Sequence, residues 1–578
     1  MAVLIGALFV LLALAAATGL SLRLLFPLPP LAPRRPSRTL KSGDESALGR
    51  GARKAAEGRG RLSGFRLLDD GREAFAARAL LARKAERSLD VQCYIWRGDR
   101  SGTLLLEELR EAADRGVRVR LLIDDNGTAG LDLALAALDR HPLIEARLFN
   151  PFVIRRPKAV GYLADFARLN RRMHNKCFIA DQRAAIVGGR NIGDEYFGAR
   201  DEGLFLDLDA LAVGPIVDEA ARDFDRYWAS ERAYPAAQIL PPVPERALGA
   251  LAAAASIAER DPTARAYVEA VRAIPIVDDL AAGRLDFEWA PARLVSDDPA
   301  KAMGVARARL LARALGRALR GRRRREPKSG AGAGAAPADQ GRGAGYLSSR
   351  RARVETLFSA LHDILGAPRR QVDLVSGYFV PTRAGVDALA AMARSGVRIS
   401  VATNAFEATD VWLVHAGYAH WRKRLVAAGV RLYEMRGAPR AEGAPPRRRL
   451  IGAGSGGAPG GSGEALRSAG STLHAKTFAV DGRRLFVGSF NFDPRSMRLN
   501  TELGVVIESE ALARAVEEAF STTIPERAYE VALGPRGRLE WRERRGGAVV
   551  VHAREPGARL WQRCGVALLS RLPIEWLL

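Results

Sequence analysis

Alternating apolar and polar positions mark a strand at Leu89-Asp90-Val91-Gln92-Cys93-Tyr94-Ile95-Trp96. Leu104 to Ala113 carries apolar residues at helical spacing and ends near Gly116. Val117 to Ile123 reads as the next strand, closed by a turn at Asp124-Asp125-Asn126-Gly127. The second half repeats this order. Val372 to Tyr378 is a strand, Gly385 to Ser395 a helix stopped by Gly396, and Val397 to Ala402 a strand. Arg115-Gly116-Val117-Arg118 is echoed by Ser395-Gly396-Val397-Arg398. The pattern predicts an internal duplication of an α/β unit. Strands separated by helices imply largely parallel pairing.

One motif occurs in both halves. His174-Asn175-Lys176, Asp181 and Gly188-Gly189-Arg190-Asn191 match His474-Ala475-Lys476, Asp481 and Gly488-Ser489-Phe490-Asn491 without a slip in spacing. Residues i and i+2 of a strand share a face, so each histidine is expected beside its lysine. Asp481-Gly482 signals a tight hairpin, returning through Leu485-Phe486-Val487. Two histidines and two lysines in matched settings point to one site built from two halves.

That set suits a phosphodiester. Lys176, Lys476, Asn191, Asn491 and Ser489 can hold the nonbridging oxygens as charge develops. One histidine can attack phosphorus while the other protonates the leaving alcohol and then activates its replacement. Each imidazole needs an orienting carboxylate. Glu502 is expected on His474 and Asp209 on His174, with Asp207 and Glu202 as alternatives in the first half. Asp181 and Asp481 are candidates for chemistry or for stabilising the turn. No carboxylate cluster at ligand spacing accompanies the histidines, which argues against a metal.

Composition adds the setting. The chain has 578 residues and a formal net charge of +24, which favours anionic partners such as acidic lipid or nucleic acid. Cys93, Cys177 and Cys564 lie far apart, so neither a disulfide framework nor a zinc site is expected, and Cys177 is expected to be buried. Met1 to Leu22 has no charged side chain, and Arg23, Arg34, Arg35, Arg38 and Lys41 follow. This segment is expected to be a transmembrane anchor with the following domain in the cytoplasm; a cleaved, exported form is the alternative.

The boundaries expected are an anchor at 1–24, a Pro-rich basic linker at 25–63 and a first lobe at 64–245. A helical, basic linker follows at 246–350, then a second lobe at 351–578. Gly/Ala/Pro/Arg-rich stretches at 317–345 and 437–470 read as spacers, the latter beside the site's mouth.

The paired motifs resemble those of the phospholipase D superfamily. Leu169 to Lys176, Gly189 to Phe197, Asp207-Leu208-Asp209, Tyr378 to Pro381, Thr403-Asn404, Ala408 to Val411, Val414 to Tyr418 and Leu572 to Glu575 resemble the bacterial cardiolipin synthase C-type branch. The similarity runs from about residue 64 onward, outside the two low-complexity stretches. It implies a monomeric, two-lobed fold with the site at the lobe interface, no cofactor and no metal. It also implies phosphatidyl transfer through a phosphohistidine, with His174 as nucleophile and His474 as general acid/base, an order the residues alone leave open. The expected product is cardiolipin, from phosphatidylglycerol with phosphatidylethanolamine or a second phosphatidylglycerol. The expected partners are phospholipids of an anionic membrane, not a specific nucleic acid, and a small accessory protein stays open. Gly189 departs from Ser489 by one hydroxyl. Lipid hydrolysis by water, a nuclease and an inactive binding protein are the competing readings. Tyr94, Trp96, Tyr378 and His415 are weighed as lipid-lining residues against a core role, Asp410 as close enough in sequence to act with His415, and Trp228 and Trp541 as core.

Overall fold

A computed structural model of the chain describes residues 2–31, 34, 37–40, 44–199, 205–260, 262–304, 357, 361, 368–409, 411–437 and 472–571. The two low-complexity stretches, Glu202, Asp410 and Leu572 to Glu575 lie outside them.

Two mixed sheets, each flanked by helices, carry the fold. In the first, the strands run Glu288–Ala290, Ser63–Leu68, Asp209–Val213, Ala184–Gly188, Cys177–Ala180, Ser88–Ile95, Arg118–Gly127, Ile144–Phe149 and Ala233–Pro235 across the sheet. In the second they run Ala292–Ser296, Leu503–Ile507, Arg484–Gly488, Lys476–Val480, Gln371–Ser376, Arg398–Asn404, Arg431–Met435, Ala528–Leu533, Leu539–Arg545 and Ala548–His552. From Ser63–Leu68 and from Ala292–Ser296 onward the two orders correspond strand for strand, so the duplication is real. The helix Arg100–Asp114 starts where the Asp99 carboxylate accepts from the Gly102 N–H, and Gly116 ends it at φ +97°. Gly396 does the same at φ +94° after the helix Arg383–Arg394.

Three expectations need correcting. Pairing is not largely parallel. Only Ser88–Ile95 with Arg118–Gly127, Arg118–Gly127 with Ile144–Phe149, and their two counterparts in the second sheet are parallel among the ladders within the sheets. The hairpins that follow each lysine, and the long returns after them, make the rest antiparallel. The second lobe does not begin at residue 351: Ala292–Ser296 pairs with Leu503–Ile507 and opens the second sheet. Asp124 to Gly127 is not a turn beyond a strand but the last stretch of one.

The motif hairpins form as predicted. Asp181 and Gln182 turn the first at φ +49° and +61°, and Asp481 and Gly482 the second at +56° and +64°. Asp181 is buried and its carboxylate accepts from the backbone N–H groups of Glu86, Arg87 and Ser88, at 2.8 to 3.2 Å. Asp481 accepts from those of Arg369, Arg370 and Gln371 at 2.8 to 3.1 Å. Each aspartate thus ties its hairpin to the start of the neighbouring antiparallel strand, Ser88–Ile95 or Gln371–Ser376.

The sheets meet along Ala184–Gly188 and Asp209–Val213 on one side and Arg484–Gly488 and Leu503–Ile507 on the other. Leu122, Met173, Ile179 and Ala212 share one buried cluster with Leu473, Leu485, Val505 and Phe520. Thr472-Leu473 also pairs in parallel with Phe205-Leu206 across the lobes. The N-terminal helix spans Ala2–Leu25 and packs on the helix Gly161–Leu169. Among the described residues no helix is long and apolar enough to cross a membrane.

Replacing Asp181 by Ala strands three N–H groups beneath a buried turn. This should cost about 3 kcal/mol in chemical denaturation, with Asp481→Ala costing less because its surroundings are more open. The turnover of the protein that stays folded should remain within about twofold; a large loss of turnover at unchanged stability would instead put these aspartates in the chemistry.

Candidate active site at the lobe interface

Backbone from each lobe fixes the histidine of the other. The His174 N–H donates to the Thr501 carbonyl at 2.8 Å, and the Thr501 N–H returns to the Arg172 carbonyl at 2.9 Å. The His474 N–H donates to the Leu206 carbonyl at 2.8 Å. The residue before each histidine is held from within its own sheet. Asp124 accepts from the Met173 N–H at 2.7 Å, and Asn404 brackets Leu473 at 2.8 and 2.9 Å. Asp124 and Asn404 occupy equivalent places on their strands.

The orienting carboxylates are exchanged as well. His174 Nδ1 lies 2.8 Å from Glu502 Oε2 and 3.1 Å from the Ser489 carbonyl, both in the second lobe. His474 Nδ1 lies 2.5 Å from Asp207 Oδ2, in the first. The expected pairing of Glu502 with His474 and Asp209 with His174 is therefore wrong on both counts. Asp209 is buried against Arg78 at 2.8 Å and accepts from the Arg190 N–H at 3.1 Å. Register explains the choice. Gly188 pairs with Asp209 and Gly488 with Gly504, so the counterpart of Glu502 is Asp207. Positions 207 and 209 share a strand face, and alternation alone cannot separate them.

The Gly189/Ser489 difference follows from the same exchange. The Ser489 hydroxyl donates to Glu502 at 2.5 Å and accepts from the Leu503 N–H at 3.0 Å. A Cβ on Gly189 would lie 2.2 Å from Asp207 Oδ1. The shorter carboxylate reaches its histidine only because nothing stands in its path. Behind Glu502, Asp297 accepts from its N–H at 3.0 Å and is paired with Lys301 at 2.8 Å.

Lys176 and Lys476 are buried beside their histidines, as the motif predicts. Lys176 Nζ donates to the His174 carbonyl at 2.6 Å, and Lys476 Nζ lies 3.2 Å from His474 Nε2. Burial and the charge of Lys476 push the Lys176 ammonium down to about 7. Burial, with both lysines nearby, holds His174 well below the usual imidazole value; His474 is lowered by burial and Lys476. Burial lifts Glu502 to about 7, against the pull of Lys176. The result is two neutral imidazoles and a self-repelling pair of cations in a dry cleft, a site that an anion would relieve.

The asparagines divide. Asn191 donates to the Tyr196 hydroxyl at 2.9 Å and accepts from the Ile95 N–H at 3.2 Å, so it positions a tyrosine. Asn491 is buried with its side-chain oxygen unpaired. Tyr196 packs edge-on to His474, with centroids 5.2 Å apart, and Tyr94 to His174 at 4.8 Å. Sequence reasoning missed Tyr196, and weighed Tyr94 with no pairing to a histidine. The spacing of either tyrosine from its histidine differs between halves, so no pattern flagged them. Asp181 and Asp481 remain at their turns. His415 bonds Glu555 at 2.7 Å and Arg422 at 2.9 Å, a buried network that fastens the C-terminal helix Leu560–Leu569 to the helix Trp412–Ala419. Cys177, Trp228 and Trp541 are buried, as expected, and Trp96 is core.

The family described as "Cardiolipin synthase, PLD-like domain" matches residues 80–228 and 361–524. Cardiolipin synthase C of Escherichia coli is 43% identical over 511 residues, 88% of this chain and 95% of that protein. A cardiolipin synthase of Staphylococcus aureus is 31% identical over 168 residues, 29% of this chain and 32% of its own. A crystal structure of phosphatidylserine synthase from Haemophilus influenzae aligns with a TM-score of 0.49 at 13% identity, covering 83% of this chain and 91% of that one.

Two measurements test the geometry. Lys176 must be charged and Glu502 ionised, and both sit near 7. The kcat/KM profile should therefore be a bell centred near pH 7, falling on the acid side as Glu502 takes a proton and on the alkaline side as Lys176 loses one. Glu502→Gln should lower activity and flatten the acid limb. Gly189→Ser should lower kcat/KM about a hundredfold with the fold intact by circular dichroism, because it displaces Asp207 from His474.

Proposed function

The chain belongs to the cardiolipin synthase, PLD-like domain family, and from that membership we propose that it joins two phospholipids into cardiolipin through a phosphohistidine at His174. It is a phosphatidyltransferase enzyme of the phospholipase D kind. The observation that carries the finer reading is the pair of buried histidines, each held through Nδ1 by the other lobe's carboxylate, which fixes both rings by that nitrogen and not by Nε2.

His174 is assigned the attack. Its Nε2 carries no hydrogen bond among the described residues, and burial keeps the ring neutral, hence nucleophilic. His474 Nε2 lies beside the Lys476 ammonium, a poorer setting for a nucleophile and a good one for handling a proton on the leaving oxygen. As His174 Nε2 bonds phosphorus, the ester bond to the headgroup breaks. The departing glycerol or ethanolamine oxygen takes a proton from His474, whose protonation the substrate's negative charge favours. A hydroxyl of phosphatidylglycerol then gives its proton to His474 and attacks phosphorus, breaking the P–N bond and freeing His174. Lys176, Lys476 and Asn491 are assigned the nonbridging oxygens, and the dry cleft strengthens each contact. Glu502 and Asp207 hold the rings and stabilise the charge each gains.

Membrane association follows from the same reading. The N-terminal helix leaves Val10, Leu11, Leu14 and Leu20 exposed, and its sequence has no charged residue before Arg23. We assign this helix as an anchor in a bacterial inner membrane. The basic residues after it keep the catalytic lobes on the cytoplasmic side.

Purified protein on phosphatidylglycerol vesicles, with and without phosphatidylethanolamine, should form cardiolipin by mass spectrometry, and His174→Ala should form none. A rise with phosphatidylethanolamine, with ethanolamine released, names that lipid as a phosphatidyl donor. Phosphatidic acid without cardiolipin would replace transfer by hydrolysis.

A further inference from the structure

We propose that the helix Gly161–Leu169 is a lipid-docking element, seated at the headgroup–acyl boundary of an anionic bilayer, that brings the membrane surface to the wall of the active site. The proposal rests on the anchor and phospholipid readings above and adds the surface through which the catalytic lobes meet the bilayer.

Position is the first argument. The N-terminal helix crosses this helix at Gly19, which is buried; a Cβ there would lie 2.5 Å from the Leu163 carbonyl oxygen. Only glycine permits so close a crossing. Gly19 precedes Arg23 by four residues, about 6 Å of helix rise. With Arg23 among the lipid headgroups, Leu163 sits at the depth of roughly 5–10 Å to which interfacial helices bury their apolar face.

Surface chemistry is the second. Leu163 is 60% exposed and Phe166 45%, on either side of a kink at Asp165 (φ −150°, ψ 56°). The exposed Leu20, Leu24, Leu25 and Phe26 continue the apolar surface along the anchor. Arg23 and Arg156 are exposed beside it and match an anionic surface. A bilayer satisfies both the apolar residues and the cations.

The inner side of the same helix leads inward. The Tyr162 hydroxyl donates to Asn126 Oδ1 at 3.0 Å, Asn126 Nδ2 donates to the Tyr94 hydroxyl at 3.4 Å, and the Tyr94 ring stands 4.8 Å from that of His174. One short segment therefore has exposed apolar side chains outside and, inside, a hydrogen-bonded chain that ends at Tyr94, whose ring packs edge-on to the proposed nucleophile.

The test uses the full chain with Cys564→Ser, since Cys564 is the exposed cysteine and Cys93 and Cys177 are buried. Leu163→Cys carries a nitrobenzoxadiazole dye, and Arg514→Cys, on the helix Glu510–Ser521, serves as the control. In phosphatidylglycerol/phosphatidylethanolamine vesicles, lipids brominated high on the acyl chain should quench the dye at 163 at least threefold more than at 514. Equal quenching would overturn the proposal. A Leu163→Glu/Phe166→Glu double variant should lower the ratio of vesicle to monomeric short-chain phosphatidylglycerol activity at least tenfold; an unchanged ratio would also overturn it. Quenching at 163 without cardiolipin formation by the parent chain would remove the catalytic reading and keep the docking surface. Cardiolipin formation without quenching would do the reverse.

Discussion

Each motif histidine is held by the lobe that does not contain it. His174 takes its carboxylate, Glu502, and a backbone acceptor, Thr501, from the second lobe. His474 takes Asp207 and Leu206 from the first. The geometry of the site is therefore a property of the interface. That interface is rigid because it is also core: apolar residues of both sheets share one cluster. Separating the lobes would expose that apolar surface and take from each carboxylate its imidazole, so both penalties favour the same closed arrangement.

The dry interface sets the electrostatics. Lys176 and Lys476 are both buried beside the histidines, and burial together with the charge of Lys476 brings Lys176 down to about 7. Such a pair costs stability in the empty protein. In the proposed reaction an anionic phosphodiester held by the lysines would offset that cost, and its charge would raise the affinity of the imidazoles for protons. Binding and proton placement are thus coupled through the same few ångströms. The supporting residues are polar and buried for this reason: Ser489, Asp297, Lys301 and Asn191 have no room to misplace the groups they hold.

Outside the interface the fold separates tasks that the motif runs together. Asp181 and Asp481 are as regular in the pattern as the histidines, yet they bind backbone at the far end of each hairpin. The lysine strand between them and the site conveys that anchoring to the histidine. Where the two halves of the duplication differ, each lobe matches the difference within itself: Gly189 leaves room for the shorter Asp207, and Ser489 stands beside the longer Glu502.

Much was legible in the chain itself. The duplication, the hairpins with their positive-φ turns, the two His–Lys pairs and a phosphodiester chemistry all followed from spacing and local conformational preference. These depend on contacts within a few residues, where side-chain alternation and turn chemistry act directly. The start of the second sheet at Ala292 was not legible, because a strand's partner lies hundreds of residues away and leaves no local mark. Nor was the crossing of carboxylates between lobes. By alternation along the chain Asp207 and Asp209 cannot be told apart, and only the register across Gly188 and the approach of the second lobe decide which one meets an imidazole. The sequence determined which polar groups recur in both halves and lie beside one another; the packing of two sheets against each other decided which partner each of them has.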